Sequence, residues 1–340
     1  MKHLAELPAD DPAGAGALRP AQPLLDVRGL TKHFRPSRLW RLGGATVTKA
    51  VENVSFSVQL GQIMGLVGES GCGKTTTGRL LLRLIEPTAG EISFEGQDIL
   101  KVNKQQLSEY RRKAQIIFQN PFSSLNPRRS IESSLSVGLE VYGLARGREK
   151  RERLAALLEK VGLSPYMLDL YPHQLSGGQR QRLVIARALS VEPKFIVADE
   201  PVAALDVSVQ AQILNLLREL QENMKFTMVF IAHDLRAVYH MCDHIGVMYL
   251  GQLVEVASRQ ALDRNALHPY TRALIAAAPS MEPGQALDQS VIAGEVWDSP
   301  PPPRGCVFYH RCPQAVQDCQ HNVPVLMEKE PGHTVACWRV

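Results

Sequence analysis

The stretch Gly68-Glu69-Ser70-Gly71-Cys72-Gly73-Lys74-Thr75 constrains this chain more than any other. It reads G-x-x-x-x-G-K-T. The apolar run Ile63-Met64-Gly65-Leu66-Val67 precedes it, and a helix-like run from Thr76 through Leu80, Leu81, Leu82 and Leu84 follows. Strand, glycine-rich loop and helix are the context of a phosphate-binding loop. The glycines let several backbone N–H groups point at one centre, and the helix N-terminus adds a partial positive charge. Lys74 is suited to pair with the β- and γ-phosphates of a nucleotide, and the Thr75 hydroxyl to ligate Mg²⁺. A plain glycine turn would need no Lys-Thr in register.

The chain of 340 residues has room for about two domains. A net charge of +4 is too weak to imply nucleic acid, and no nucleic-acid partner is expected. No apolar run approaches the ~18 residues of a membrane span. The first residues carry Glu6, Asp10 and Asp11 and lack a signal-peptide core, so a cytoplasmic protein is expected. Residues 1–23, rich in Ala, Pro and Gly, read as a disordered tail.

Strands are expected at Leu24–Leu30, Val54–Val58, Ile63–Val67, Glu91–Phe94, Gln115–Phe118, Lys194–Glu200, Thr227–Ala232, His244–Met248 and Leu253–Val256. Helical patterns run over Ile131–Gly162, from Leu175 through Leu189, from about Ser208 to Met224, and over Ser258–Arg264. Arg35, Arg38, Trp40 and Arg41 read as a basic surface loop. Pro121, Asn126 and Pro127 break regular structure, and Pro300–Pro303 mark a stiff linker. Near-continuous apolar strands alternating with helices predict an α/β fold with a largely parallel, covered sheet. There is no internal repeat, so the chain holds the motifs of one nucleotide site.

A parallel sheet places its ligands at the carboxyl ends of its strands. Lys74, Gln119, Asp199 with Glu200, and His233 all stand just past such ends. Asp199 is the expected Mg²⁺ ligand and Glu200 the general base that polarises an attacking water. Gln119 is in place to reach the metal or the water, and His233 the γ-phosphate. Ser176-Gly177-Gly178-Gln179 is a second glycine-rich helix start, readable as another anion site or as a serine-capped helix.

In this order the phosphate loop, Gln119, Leu175-Ser176-Gly177-Gly178-Gln179, Asp199-Glu200-Pro201, Ala204-Leu205-Asp206 and His233 resemble the ATP-binding cassette ATPases over about residues 25–256. The resemblance implies a P-loop NTPase core of RecA type with a mostly parallel sheet. It adds a small antiparallel β part and a helical subdomain over about 121–175, within a nucleotide-binding domain at 24–256. It also implies ATP and Mg²⁺, with Gly68 and Ser70 through Thr76 around the phosphates. Two such domains would meet head to tail, the Ser176–Gln179 segment of one closing over ATP held by the other, with Asp206 in a loop that communicates across the dimer. Phe34 matches the position that stacks on adenine in this family; a core phenylalanine is the other reading.

The tail narrows the resemblance. Leu267-His268-Pro269-Tyr270-Thr271-Arg272, Gly305-Cys306-Val307-Phe308, Arg311-Cys312-Pro313 and the Phe118–Arg129 stretch look like the ATPases of dipeptide and oligopeptide importers. That implies a C-terminal extension at 257–340 and a peripheral place on the cytoplasmic face of the inner membrane. The implied partners are a second ATPase (identical or a sister chain), two transmembrane permease subunits and an external substrate-binding protein. Related systems carry nickel or oligosaccharides. A soluble cassette ATPase of translation or repair usually holds two cassettes or a coiled-coil insertion, and neither is here. A binding-only cassette is disfavoured by Glu200 and His233, and a P-loop kinase or GTPase leaves Ser176–Gln179 unexplained.

Four of the six cysteines fall in the last 35 residues, Cys306, Cys312, Cys319 and Cys337, spaced C-x₅-C-x₆-C-x₁₇-C. Structural disulfides are not expected in a cytosolic protein. Four thiolates suit a [4Fe–4S] cluster or zinc, although the tight C-x₂-C pairs of zinc ribbons are missing; free thiols are the third reading.

Overall fold

The computed structural model describes residues 22–35, 47–277, 302 and 304–340. Twelve strands lie among them: β1 (Leu25–Phe34), β2 (Thr48–Val58), β3 (Ile63–Val67), β4 (Ala89–Phe94), β5 (Gln97–Asp98), β6 (Ala114–Ile117), β7 (Phe195–Asp199), β8 (Thr227–Ala232), β9 (His244–Tyr249), β10 (Gln252–Ser258), β11 (Met327–Glu330) and β12 (His333–Val335). They form two sheets. The larger runs β11-β12-β10-β9-β3-β8-β7-β6, and the smaller runs β2-β1-β4-β5.

The centre of the large sheet is parallel: β9, β3, β8, β7 and β6 pair in one direction. Every residue of β3, β7 and β8 is buried, as covered parallel strands require. The period of two splits these strands between two cores. Ile63, Val67, Ile196, Ala198, Met228 and Phe230 join one core with the helices Gly177–Leu189 and Val207–Met224. Met64, Leu66, Val197, Val229 and Ile231 join the other, with the small sheet and the helix Lys74–Leu81. All small-sheet pairings are antiparallel.

The expected core elements are present, with boundaries moved. β1 and β2 run longer than expected because their pairing continues from Leu25↔Val58 out to Phe34↔Thr48. The helical pattern over Ile131–Gly162 is two helices, Ile131–Val141 and Gly147–Lys160. Gly143 (φ 64°) and Gly147 (φ 53°) adopt the left-handed region and separate them. The break after Phe118 contains one short helix, Pro121–Ser124, opened by proline at a helix start, where its missing N–H costs nothing. A helix at Lys104–Lys113 went unforeseen. Asn103 and Gln106 cap it reciprocally, so its start signal was legible, but its exposed, charged body has little apolar period. The tail and basic-loop readings at residues 1–21 and 36–46, and most of the proline linker, lie outside the described residues.

The C-terminal residues pair with the large sheet. β12 joins β10 through Glu255↔Val335 and Val256↔Thr334. A buried carboxylate fixes this junction. Glu255 accepts hydrogen bonds from the backbone N–H groups of Leu267 (2.7 Å) and His268 (3.0 Å), and lies 2.6 Å from His333 Nε2. Burial of such a charge is tolerated when its lone pairs are met in this way.

Candidate nucleotide site

The site grows from the carboxyl ends of β3, β7 and β8, beyond which chain and helix N-termini meet. Gly68 and Gly73 are sterically required. A Cβ on Gly68 would stand 2.1 Å from the Met248 carbonyl oxygen. One on Gly73 (φ 105°) would stand 2.3 Å from that of Ala50. Ser70 and Gly71 are exposed at the loop's crest, and Cys72 is buried beneath it. Burial pushes the Cys72 thiol up, so this cysteine is a packing residue.

Lys74 is 4% exposed, and its Nζ donates to the carbonyls of Gly68 (2.7 Å) and Glu69 (3.0 Å). Its ammonium therefore sits inside the curl of the loop. Thr75 and Thr76 follow in the first turn of the helix, whose free N–H groups face the same space. Thr75 Oγ1 donates to Asp199 Oδ1 at 2.9 Å, bringing the two expected Mg²⁺ ligands together. Burial raises the Asp199 carboxyl pKa and the Glu200 charge adds to this, while the Thr75 hydrogen bond opposes it. A bound divalent cation would reverse that balance, so these residues fit the metal.

The neighbouring Glu200 gathers two more expected residues. Gln119 Nε2 donates to its Oε2 at 3.0 Å, and His233 Nδ1 lies 3.3 Å from the same oxygen. Glu200 itself holds φ 47°, the left-handed region, an uncommon conformation for a side chain with a Cβ. Its N–H donates to the Ile231 carbonyl of β8. That hydrogen bond fixes the chain reversal that turns the carboxylate toward Gln119 and His233. Backbone of this kind persists where the surrounding structure over-determines it, commonly at functional sites.

The other expected residues stand apart. Ser176 caps the helix Gly177–Leu189: its Oγ accepts from Gln179 N–H at 3.3 Å, while Gln179 Oε1 accepts from Ser176 N–H at 3.0 Å. Gly178 lets this helix start approach Val209, since a Cβ there would lie 2.8 Å from Val209 Cγ1. Gly177 lies beside Leu205, so the capped turn rests on the segment that carries the exposed Asp206. Phe34 is 44% exposed at the end of β1, with Lys32 Nζ 5.1 Å from its ring centroid, which corrects the core-phenylalanine reading.

Tyr270 and Arg311 enter the sequence reading only as family motifs; that they grip the loop from outside is not legible there. Tyr270 Oη accepts the Glu69 N–H at 3.0 Å, and the Arg311 guanidinium forms a two-bonded ion pair with the Glu69 carboxylate. They lie 201 and 242 positions from Glu69, so no local pattern announces these contacts.

Among the described residues, no group of three or more His, Cys, Asp or Glu side chains is arranged to hold a metal ion, and all six cysteines are free. The four C-terminal cysteines therefore form no ligand set in this geometry. Burial pushes the Cys306 thiol up to about 11 and raises those of Cys312 and Cys337, which keeps them protonated at neutral pH. A cavity of about 440 Å³, lined in part by Leu60, Lys194 and Phe226, opens at the amino ends of β3, β7 and β8, opposite the site. No helix among the described residues is long and apolar enough to cross a membrane.

Residues 51–203 match the family model described as ABC transporter, and residues 254–319 match the one described as oligopeptide/dipeptide transporter, C-terminal region. A Brucella ovis protein designated a peptide import ATP-binding protein is 49% identical over 317 residues, 93% of this chain and 98% of its own length. The oligopeptide transport ATP-binding protein AppF of Bacillus subtilis is 45% identical, covering 92% of this chain and 96% of its own length. Among solved structures, the dimeric ATP-binding cassette MJ0796 in a post-hydrolysis state with ADP and Pi aligns with a TM-score of 0.61 at 28% identity. That alignment covers 69% of this chain and 98% of the cassette. The cbiO1 protein of Clostridium perfringens, part of the ABC transporter complex cbiONQ, gives 0.61 at 26% identity, covering 72% and 91%.

Proposed function

Because the chain belongs to the ABC transporter ATPases and is an ATP-hydrolysing transporter subunit, we propose that its transporter is a peptide importer. The observation that carries the cargo class is the C-terminal match over residues 254–319, reinforced by relatives that align nearly end to end. A nickel or oligosaccharide importer is the second reading. Purifying the intact membrane complex and measuring which solutes stimulate its ATPase tests the proposal. Stimulation by di- or oligopeptides supports it; stimulation by nickel or sugars alone rejects it.

In this reading Lys74 pairs with the β- and γ-phosphates, and the backbone N–H groups of Gly68 and Ser70 through Thr76 cradle them. Thr75 and Asp199 hold Mg²⁺, with Gln119 in reach; the ion would neutralise developing phosphate charge. Glu200 takes the proton of the attacking water, Gln119 orients that water, and His233 contacts the γ-phosphate. The 2.9, 3.0 and 3.3 Å contacts among Thr75, Asp199, Gln119, Glu200 and His233 support this assignment. Phe34, exposed at a strand end, is offered for adenine.

Ser176, Gly177, Gly178 and Gln179, with Asp206 behind them, close over the ATP of a second cassette, a role supported by the dimeric cassette found as a neighbour. Two transmembrane permease subunits and an external substrate-binding protein complete the assembly, with this chain peripheral on the cytoplasmic membrane face. The domain reading, 24–256 for nucleotide (helical part about 121–175) and 257–340 for the extension, is supported by the two matched regions.

A [4Fe–4S] cluster or zinc at Cys306, Cys312, Cys319 and Cys337 rests on residue type. Further support comes from one amide donor two residues on, Arg339 N–H to Cys337 Sγ at 3.4 Å. No step of turnover runs through it. Anaerobic purification with metal analysis and a visible spectrum tests it, and metal-free protein with four titratable tail thiols rejects it.

A further inference from the structure

Glu69 places a carboxylate in a loop built to receive a triphosphate. Left uncompensated, that charge opposes the ligand. Arg311 answers it: Nη1 donates to Oε2 at 2.9 Å and Nη2 to Oε1 at 3.0 Å, with the two side chains only 11% and 22% exposed. This fork geometry holds both the charge and the orientation of the carboxylate.

Arg311 is itself held. It ends the single turn Tyr309–Arg311, between Cys306 and Cys312. Its Nη1 also donates to Tyr249 Oη at 3.2 Å, and its guanidinium carbon lies 5.7 Å from the Tyr249 ring centroid. Tyr249, Tyr270 and Phe308 pack with ring centroids 4.7 to 5.4 Å apart beneath it. Glu69 thus meets the C-terminal region twice, through its carboxylate and through its N–H to Tyr270, while its carbonyl accepts from Lys74. One residue connects the cysteine-bearing turn to the lysine at the centre of the phosphate loop.

We propose that Arg311 is a positioning residue for ATP, neutralising and fixing Glu69 so that the C-terminal region sets the nucleotide affinity of the phosphate loop. The proposal rests on the reading of that loop as the ATP site. Pre-ordering a glycine-rich loop lowers the cost of binding, and removing one partner of a shielded ion pair exposes the other charge.

The test uses the full chain, or its transporter complex, with equilibrium binding of MgATP and steady-state kinetics. Arg311→Gln is expected to weaken ATP binding and raise KM by about tenfold, with kcat changed much less. Adding Glu69→Gln to that variant removes the stranded carboxylate and should recover most of the affinity, a rescue that a purely structural role for Arg311 would not give. Should Arg311→Gln fail to fold, Arg311→Lys keeps the charge without the fork and is expected to raise KM by a smaller factor. Unchanged affinity and KM in the folded Arg311 variants, or a double variant no better than Arg311→Gln, overturns the proposal. Lys74→Ala is measured alongside: if it binds MgATP normally, the reading of the loop itself fails.

Discussion

Thr75 and Asp199, 124 positions apart in sequence, share a 2.9 Å hydrogen bond in which the hydroxyl donates to Oδ1. The bond joins the first turn after β3 to the end of β7, two strands separated in the sheet by β8 alone. The hydroxyl meets one lone pair of a carboxylate that burial drives toward protonation.

Asp199→Asn should therefore separate stability from activity. The folded-state carboxyl binds its proton more tightly than the unfolded chain does. Its contribution to stability therefore falls as pH rises from the unfolded pKa through the raised folded one. At neutral pH the nucleotide-free Asn variant is expected to melt higher than the parent. Its Mg-dependent ATPase should drop by at least ~100-fold. Paired melting curves and ATPase assays check this; a lower Tm at neutral pH would contradict the burial argument.

Glu200→Gln keeps the shape of the side chain and removes the base. MgATP should still bind, while turnover falls by roughly 10²–10⁴. Single-turnover measurements on the transporter complex decide it, and near-wild-type hydrolysis would remove Glu200 from the proposed role.

Sharing of the site between chains predicts complementation. Lys74→Ala disables the phosphate loop and Ser176→Arg disables the lid. If the chain self-associates, a mixed dimer places both lesions in one composite site and none in the other. Each variant alone should be inactive and the mixture partly active. Demonstrated mixed dimers without any recovery would count against a shared site. With a sister ATPase as the partner, one lesion goes on each chain.

His268 predicts the acid limit of the C-terminal region. It is 1% exposed, burial lowers its pKa to about 3, and its Nδ1 accepts the Tyr270 N–H at 3.0 Å. Because the folded pKa lies below the unfolded one, this contribution is complete above pH 6.5 and is lost as pH falls from there toward 3. The loss should reach about 2 kcal/mol at pH 5. Urea titrations from pH 8 to 5 should show this slope in the parent and a shallower one in His268→Asn. Equal slopes would refute the assignment.

Features with local causes are legible in the order of residues. A phosphate loop needs glycines at fixed offsets. Covered parallel strands need unbroken apolar runs. A capped helix start announces itself in four residues, and strand ends in a parallel sheet point to one edge. Hence the loop, β3, β7 and β8, and the gathering of Lys74, Thr75, Gln119, Asp199, Glu200 and His233 at one sheet edge, are legible from residue order.

Which side chains meet follows from the assembled fold. The left-handed turn at Glu200 depends on a hydrogen bond to Ile231 on the next strand. The exposure of Phe34 depends on how far β1 and β2 extend together. The seating of Glu255 depends on His333, 78 residues later, and the grip on Glu69 on Arg311, 242 residues later. An ion pair has no sequence period, because its two ends are matched by charge and distance alone; folding must bring β10, β12 and the cysteine-bearing turn together before either pair exists.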